Sequence, residues 1–258
     1  LGYEGSQDYD LVLRCVNKIS NNKQILHINK VLYHWRMHEL SASFNKNAKS
    51  YAPIAAKNAI QDYLHKKGED IDVEILNHGY RVISKKNPLK NLLLIVELKG
   101  ESVVKITNSL NVVFHGLGKD KKLDILFFYK SFNKKKIKQL ERLLRNKSNI
   151  EFIKLQNSGI YQYLGNALPN RDVNFMMFWD LSIIDIVNER GDESYWIKDL
   201  ASSLKEKDTV AASPKIITKK HRIFFSGIYI GFGNIPQCIN FNQHSSNNGY
   251  FGRANLIQ

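Results

Sequence analysis

The stretch NLLLIVEL, residues 91–98, puts five apolar side chains in a row, Leu92 to Val96, and closes on Leu98. Eight residues suit a strand rather than a helix, and a run without polar alternation has to be covered on both faces. Strands covered on both faces belong to parallel sheets, whose neighbours are joined by helical crossovers. The sequence downstream supplies such connections. VVKITNSL reads as a helix, NVVFH and LDILFFY as strands, and NKKKIKQLERLLRNK (133–147) as a basic helix. IEFIKL and VNFMMFWDLSII read as strands, and SYWIKDLASSLKE as a helix. Strands alternating with helices predict an α/β domain with a mainly parallel sheet and FMMFW as a central buried strand.

Upstream the grammar differs. Ser6 is placed to cap a helix whose apolar positions are Leu11, Val12, Cys15, Val16 and Ile19, which would bury the Cys15 thiol. Asp8 and Asp10 fall in its first turn, where the helix dipole favours negative charge. A short strand, QILHI, and the segment KVLYHWRMHELSAS follow. Helical spacing returns from Tyr51 to Lys67 and stops at Gly68. DVEIL and YRVIS alternate like paired strands around NHG, and KKNPLK reads as a boundary.

With 258 residues and 43% hydrophobic content, the chain can bury one large core or two modest ones. Thirty-eight Lys and Arg against 24 Asp and Glu give a net charge of +14. That balance favours anionic partners, although lysine dispersed among Asn and Ile also follows from biased base composition. No recognisable nucleic-acid module is present, which argues against nucleic acid as partner. Two cysteines, Cys15 and Cys238, are too few for a disulfide framework or a four-thiolate zinc site. No signal peptide is visible and no apolar run reaches transmembrane length. A reducing, cytoplasmic setting fits, and the chain reads as a piece of something longer.

The block EGSQDYDLVLR (4–14) followed by HINKVLYHWRMHELSAS (27–43) resembles the C-terminal half of a bacterial family-2 glycosyltransferase catalytic domain of the GT-A fold. Such domains carry an acidic pair opening a helix, then a strand leading into a Tyr-x-x-Arg-x-His segment with Ser shortly after. Residues 49–88 resemble the helical and hairpin connector of tandem transferases that build surface polysaccharide of the O-antigen type. Residues 89–258 resemble the start of a second such domain, through FMMFWDLSII, SYWIKDL, SGIYIG and GYFGRANLIQ. The second domain departs from the pattern. Asp180 stands at the first acidic position of the expected Asp-x-Asp, but Ser182 stands at the last. IVELKGES lacks the expected Pro-Thr, and FFYKS lacks the expected acid. Residues 1–48 are thus expected as a remnant of a first domain and residues 89–258 as a degenerate, truncated second one.

The resemblance implies an inverting transfer from a nucleotide-sugar donor to a glycan or lipid-linked glycan acceptor, with a divalent Mn or Mg ion in the intact enzyme. That chemistry needs a base for the acceptor hydroxyl, a held anomeric carbon and charge stabilisation of the departing diphosphate. It implies Asp8 as the base, with Gln7 beside it in the place of the commoner Glu, while Asp10 pairs with Arg14 one turn on. The bland alternative is that both acids only start a helix. His38 matches a position contacting metal or diphosphate, and Arg36 suits a phosphate as a planar, multi-donor cation. Trp35 fits either a core or a sugar-stacking platform, and the Ser that follows the block, Ser41, is implied as a substrate-binding residue. Asp180 is a weak metal candidate, because a hard cation prefers several oxygens. The basic helix over 133–147 is a solvated face or a contact with anionic headgroups, which would suit peripheral attachment at the inner face of the cytoplasmic membrane. The other class of reading is a non-catalytic glycan-binding or scaffolding module derived from a transferase.

Overall fold

The computed structural model describes residues 2–34, 50–76, 79–85, 91–118, 123–156, 159–186, 196–204, 209–226, 228–229 and 237–247. The described residues up to 85 form one compact unit and those from 91 onward a second.

The first unit opens with α1 (Gln7–Val16). Its start follows Ser6, but the Ser6 hydroxyl does not cap it. It donates instead to the Ala52 carbonyl at 2.8 Å, joining α1 to α2 (Ala52–Lys66). Gly5, with φ of +84°, passes so close to Tyr51 that a Cβ would lie 2.7 Å from its ring. Small side chains on α2 make the contact possible: Ala55, Ala56 and Ala59 are buried beside Ile60. The antiparallel hairpin of β1 (Ile71–Leu76) and β2 (Gly79–Ser84) adds Ile71 and Val73 to that core, with Leu13, Leu64 and Tyr80 around it.

Two expectations fail here. Cys15 is exposed, and α1 buries none of its residues. Its apolar spacing is helical, but only Leu13 meets the small core. QILHI is not a strand: Ile25, Leu26 and Ile28 lie in irregular, exposed backbone, because among the described residues no strand offers the ladder that alternation requires.

The second unit confirms the α/β class. Its four-stranded parallel sheet has the order β5-β4-β3-β6. The strands are β3 (Leu92–Leu98), β4 (Leu123–Tyr129), β5 (Ser148–Lys154) and β6 (Phe175–Trp179). The crossovers are α3 (Val103–Leu117), α4 (Lys134–Leu144) and α5 (Ile160–Ala167). Strand periodicity sorts β3 between two cores. Leu94, Val96 and Leu98 pack with Ile106, Leu110 and Val113 of α3 and with Leu140 and Leu144 of α4. Leu93 and Ile95 pack on the other face with Leu126, Phe128 and Leu164 of α5. The first core also takes in Trp196, Ile197 and Ala201 of α6 (Trp196–Ser203). Short antiparallel pairs, β7 (Ile216–Ile217) with β8 (Ile223–Phe225) and β9 (Ile228–Tyr229) with β10 (Gln237–Cys238), follow.

Two further corrections concern this unit. NVVFH is not a strand but the continuation of α3, because Ile106, Leu110, Val113 and Leu117 keep a helical period that outweighs the β-branched residues. FMMFW is a strand but not a central one. The position between two neighbours belongs to β3, and β6 lies at an edge of the described sheet, with Met176 and Phe178 exposed on one side and Trp179 buried.

Candidate functional site

The strand order reverses at β3. From β3 the chain leaves through α3 on one face towards β4, whereas β6 is reached from β5 through α5 on the other face. The chain leaving β6, however, returns to the α3 face, where Leu181, Ile183 and Trp196 join the first core, so the loops after β3 and β6 lie on one side of the sheet. The crevice beyond the carboxyl ends of the strands is where open α/β sheets take ligands.

After β3 the loop is built by short polar bonds. The Glu101 carboxylate accepts the Lys99 amide at 2.7 Å, across Gly100 at φ +109°, a backbone shape that disfavours any side chain. Ser102 caps α3, its hydroxyl accepting the Lys105 amide at 3.2 Å. Lys136 reaches across from the first turn of α4 and donates to the carbonyls of Gly100 at 3.3 Å and Glu101 at 2.9 Å. The start of α4 is thereby tied to the loop after β3.

After β6 the chain turns at once. The Asp180 carboxylate accepts the Ser182 amide at 2.7 Å, and the Ile183 amide reaches the Asp180 carbonyl at 3.1 Å. The Ser182 amide, then its hydroxyl, hold the Asp180 pKa below the ordinary value, with Lys99 and Lys105 adding to the effect and burial opposing it. The turn is anchored from beneath by Ser109 of α3, which is 2% exposed. The Ser109 hydroxyl accepts the Trp179 indole N–H at 2.9 Å and donates to the Ile183 carbonyl at 2.8 Å. Lys99 also pairs with Glu97 at 3.1 Å, and its pKa is raised by that hydrogen bond first and by Asp180 to a lesser degree.

These surroundings do not fit a divalent cation. Asp180 is a single carboxylate already accepting Ser182, with Lys99 and Lys105 contributing positive potential, and hard cations favour several oxygen ligands. Among the described residues no cluster of three or more His, Cys, Asp or Glu could hold a metal.

In the first unit Asp8 is exposed and accepts the Tyr9 amide at 2.9 Å, within the first turn of α1. Gln7 beside it is exposed too. Asp10 forms the expected pair with Arg14, at 2.8 Å. Tyr3 donates a hydrogen bond to Asp62, which pushes the phenol pKa up to about 12. A shallow groove near the start of α1 is lined by Gly2, Glu4, Tyr51, Ile54, Ala55 and Asn58 and does not include Asp8. Trp35, Arg36, His38 and Ser41 lie outside the described residues.

Sequence reading singled out Asp180 and Ser182 but missed Lys99, Lys105, Ser109 and Lys136. The Gly-x-Ser step after a strand was a usable signal for the loop and cap. Ser109 carried none, because a serine inside an apolar helix discloses its partners only once the sheet is assembled.

No protein-family model matches the chain. It is 26% identical over 275 residues to the uncharacterized protein y4gI of Sinorhizobium fredii (strain NBRC 101917 / NGR234), in a match that spans the whole of this chain and 28% of that protein. Among solved structures, S. aureus TarS is similar over 45% of this chain and 20% of its own, at 19% identity and a TM-score of 0.33. The mannosyltransferase PcManGT from Pyrobaculum calidifontis, in complex with GDP-Man and Mn2+, is similar over 67% of this chain and 46% of its own, at 11% identity and a TM-score of 0.37. Among the described residues no helix is long and apolar enough to cross a membrane.

Proposed function

We propose that the chain is part of a glycosyltransferase that moves a sugar from a nucleotide-sugar donor to a glycan or lipid-linked glycan, in the synthesis of bacterial surface polysaccharide on the cytoplasmic side of the membrane. Residues 1–48 close a catalytic GT-A domain, 49–88 connect it onward, and 89–258 form a second, GT-A-derived domain. In the longer protein Asp8 takes the proton of the acceptor hydroxyl as that oxygen attacks the anomeric carbon. Arg36 and His38 face the departing diphosphate, and Gln7, Trp35 and Ser41 hold sugar. A Mn or Mg ion at that first site would supply charge stabilisation to the leaving group.

The observation that carries this reading for the second domain is the pairing of β3 with β6 in a parallel sheet, with Asp180 directly after the carboxyl end of β6 and Lys99 and Lys105 near it. The same observation favours a binding role without catalysis there. The Ser182 amide takes one oxygen of the Asp180 carboxylate, and the cations acting on that carboxylate among the described residues are Lys105 and Lys99, the latter already paired with Glu97.

Calorimetric titration of the 258-residue protein with nucleoside diphosphates and nucleotide-sugars, with and without Mn2+, tests both statements. Expected are heats of binding that do not depend on the metal, weakening when Lys99 and Lys105 are replaced by Gln, and no turnover of any donor. Absence of binding to every nucleotide would remove the crevice reading. Metal-dependent turnover would show a complete active site where none is proposed.

A further inference from the structure

The sequence of α4 places its charges with a regularity that its fold does not require. At 100° per residue, Lys134, Lys135, Lys138, Arg142 and Arg145, the last directly after the helix, fall within an arc of about 100°. Ile137, Leu140 and Leu144 lie on the opposite side, with Leu140 and Leu144 buried against the sheet. All five cations are exposed. The one acid of the helix, Glu141, borders that arc about 20° beyond Lys134, and no ion pair joins any of the five to another described residue. From Lys134 to Arg145 the row is about 16 Å long at 1.5 Å per residue. Salt-bridged surface helices usually interleave both signs in similar number; this one sets five cations along its outer ridge against a single acid at the border.

We propose that the outer ridge of α4 is the face by which this protein rests on an anionic lipid bilayer. A straight row of Lys and Arg on the surface of a helix meets a flat, negatively charged plane with every charge at once. Each cation near such a surface contributes to attachment, and their aliphatic stems can lie among headgroups. Leu143, 52% exposed on the flank, adds an apolar contact at the same boundary. The helix has no aromatic residue on which bases could stack, the usual companion of cations in a single-strand nucleic-acid surface. The tether from Lys136 to Gly100 and Glu101 places the N-terminal end of the ridge at the crevice edge of the sheet. The bilayer would therefore lie beside the crevice, where a lipid-linked acceptor would be presented. The attachment itself does not depend on the proposed transfer.

The test is sedimentation of the full chain with vesicles of phosphatidylcholine alone and of phosphatidylcholine with phosphatidylglycerol in a two-to-one ratio, near physiological ionic strength. The ridge variant replaces Lys134, Lys138, Arg142 and Arg145 by Gln. A control variant of equal charge change replaces Lys18, Lys23, Lys30 and Lys66, all exposed in the first unit. Expected are binding to the anionic vesicles only, a loss of about fivefold per ridge cation removed, and a control within about twofold of the unmodified protein. Should the fourfold ridge variant fail to fold by circular dichroism, the pairs Lys134→Gln with Lys138→Gln and Arg142→Gln with Arg145→Gln carry the same expectation at about 25-fold each. Equal losses in ridge and control variants would mean that net charge alone binds, and would overturn the proposal. So would equal binding to neutral vesicles, or ridge-dependent binding to a DNA duplex that outcompetes the anionic vesicles at matched charge.

Discussion

Ser109 shows how little material holds the candidate site in shape. Its hydroxyl is the sole bridge described between the Trp179 indole and the Ile183 carbonyl, on either side of the Asp180 turn. Ser109→Ala would leave a buried donor and a carbonyl without that partner, at a cost of about 1–3 kcal/mol in chemical denaturation. Asp180 adds a dependence on acid. Its folded pKa is depressed, so its contribution to stability is complete above the ordinary aspartate value of about 3.9 and is lost as pH falls through the lower folded value. Denaturation midpoints measured downward from pH 5 should lose that acid-side slope in Asp180→Asn, and an unchanged slope would assign the depressed pKa elsewhere. Asp8 and Asp10 divide differently. Assayed in the longer protein, Asp8→Asn should lower turnover by roughly 10²–10⁴-fold with donor affinity little changed, because a base acts in the transition state. Asp10→Asn should cost about 0.3–1 kcal/mol of stability and leave turnover nearly intact. A reversed pattern would exchange their roles.

Among the elements, α3 and β6 explain most of what sequence reading got right and wrong. The apolar run of β3 announced a strand covered on both faces, and the structure covers it so. The helical period of α3 was present beyond Leu110, but Val112, Val113 and Phe114 are also good strand formers, and only the packing of Val113 and Leu117 decides between them. The edge position of β6 was illegible because strand order is a property of crossovers, not of the strand. Composition of FMMFW suits a central strand equally well. The site was legible at Asp180, where a motif could be seen, and illegible at Lys136 and Ser109, which lie 44 and 71 residues away by their numbering. Packing between α3 and α6 gives a sharp test. A Cβ on Gly116 would lie 2.2 Å from the Trp196 indole nitrogen. Gly116→Ala should therefore destabilise by about 1–3 kcal/mol, although alanine is the better helix former by about 1 kcal/mol. A gain in melting temperature would show that Trp196 moves aside.

At the scale of the whole molecule, two compact units meet in sequence between residues 85 and 91. Limited proteolysis of the folded chain should cut there before it cuts inside α2 or the β1–β2 hairpin. First cuts within those elements would mean that the small core of Ile60, Ile71 and Val73 does not hold them. The two tryptophans of the second unit have a use of their own. Trp179 and Trp196 lie 5.7 Å apart between ring centroids, inclined by 30°, and Trp179 directly precedes Asp180. Indoles this close couple optically, so their near-ultraviolet dichroism and fluorescence report on the spacing of β6 and α6. With only Trp35 besides them in the chain, a ligand that shifts the Asp180 turn would be detected by light alone, in unlabelled protein, before its chemical identity is known.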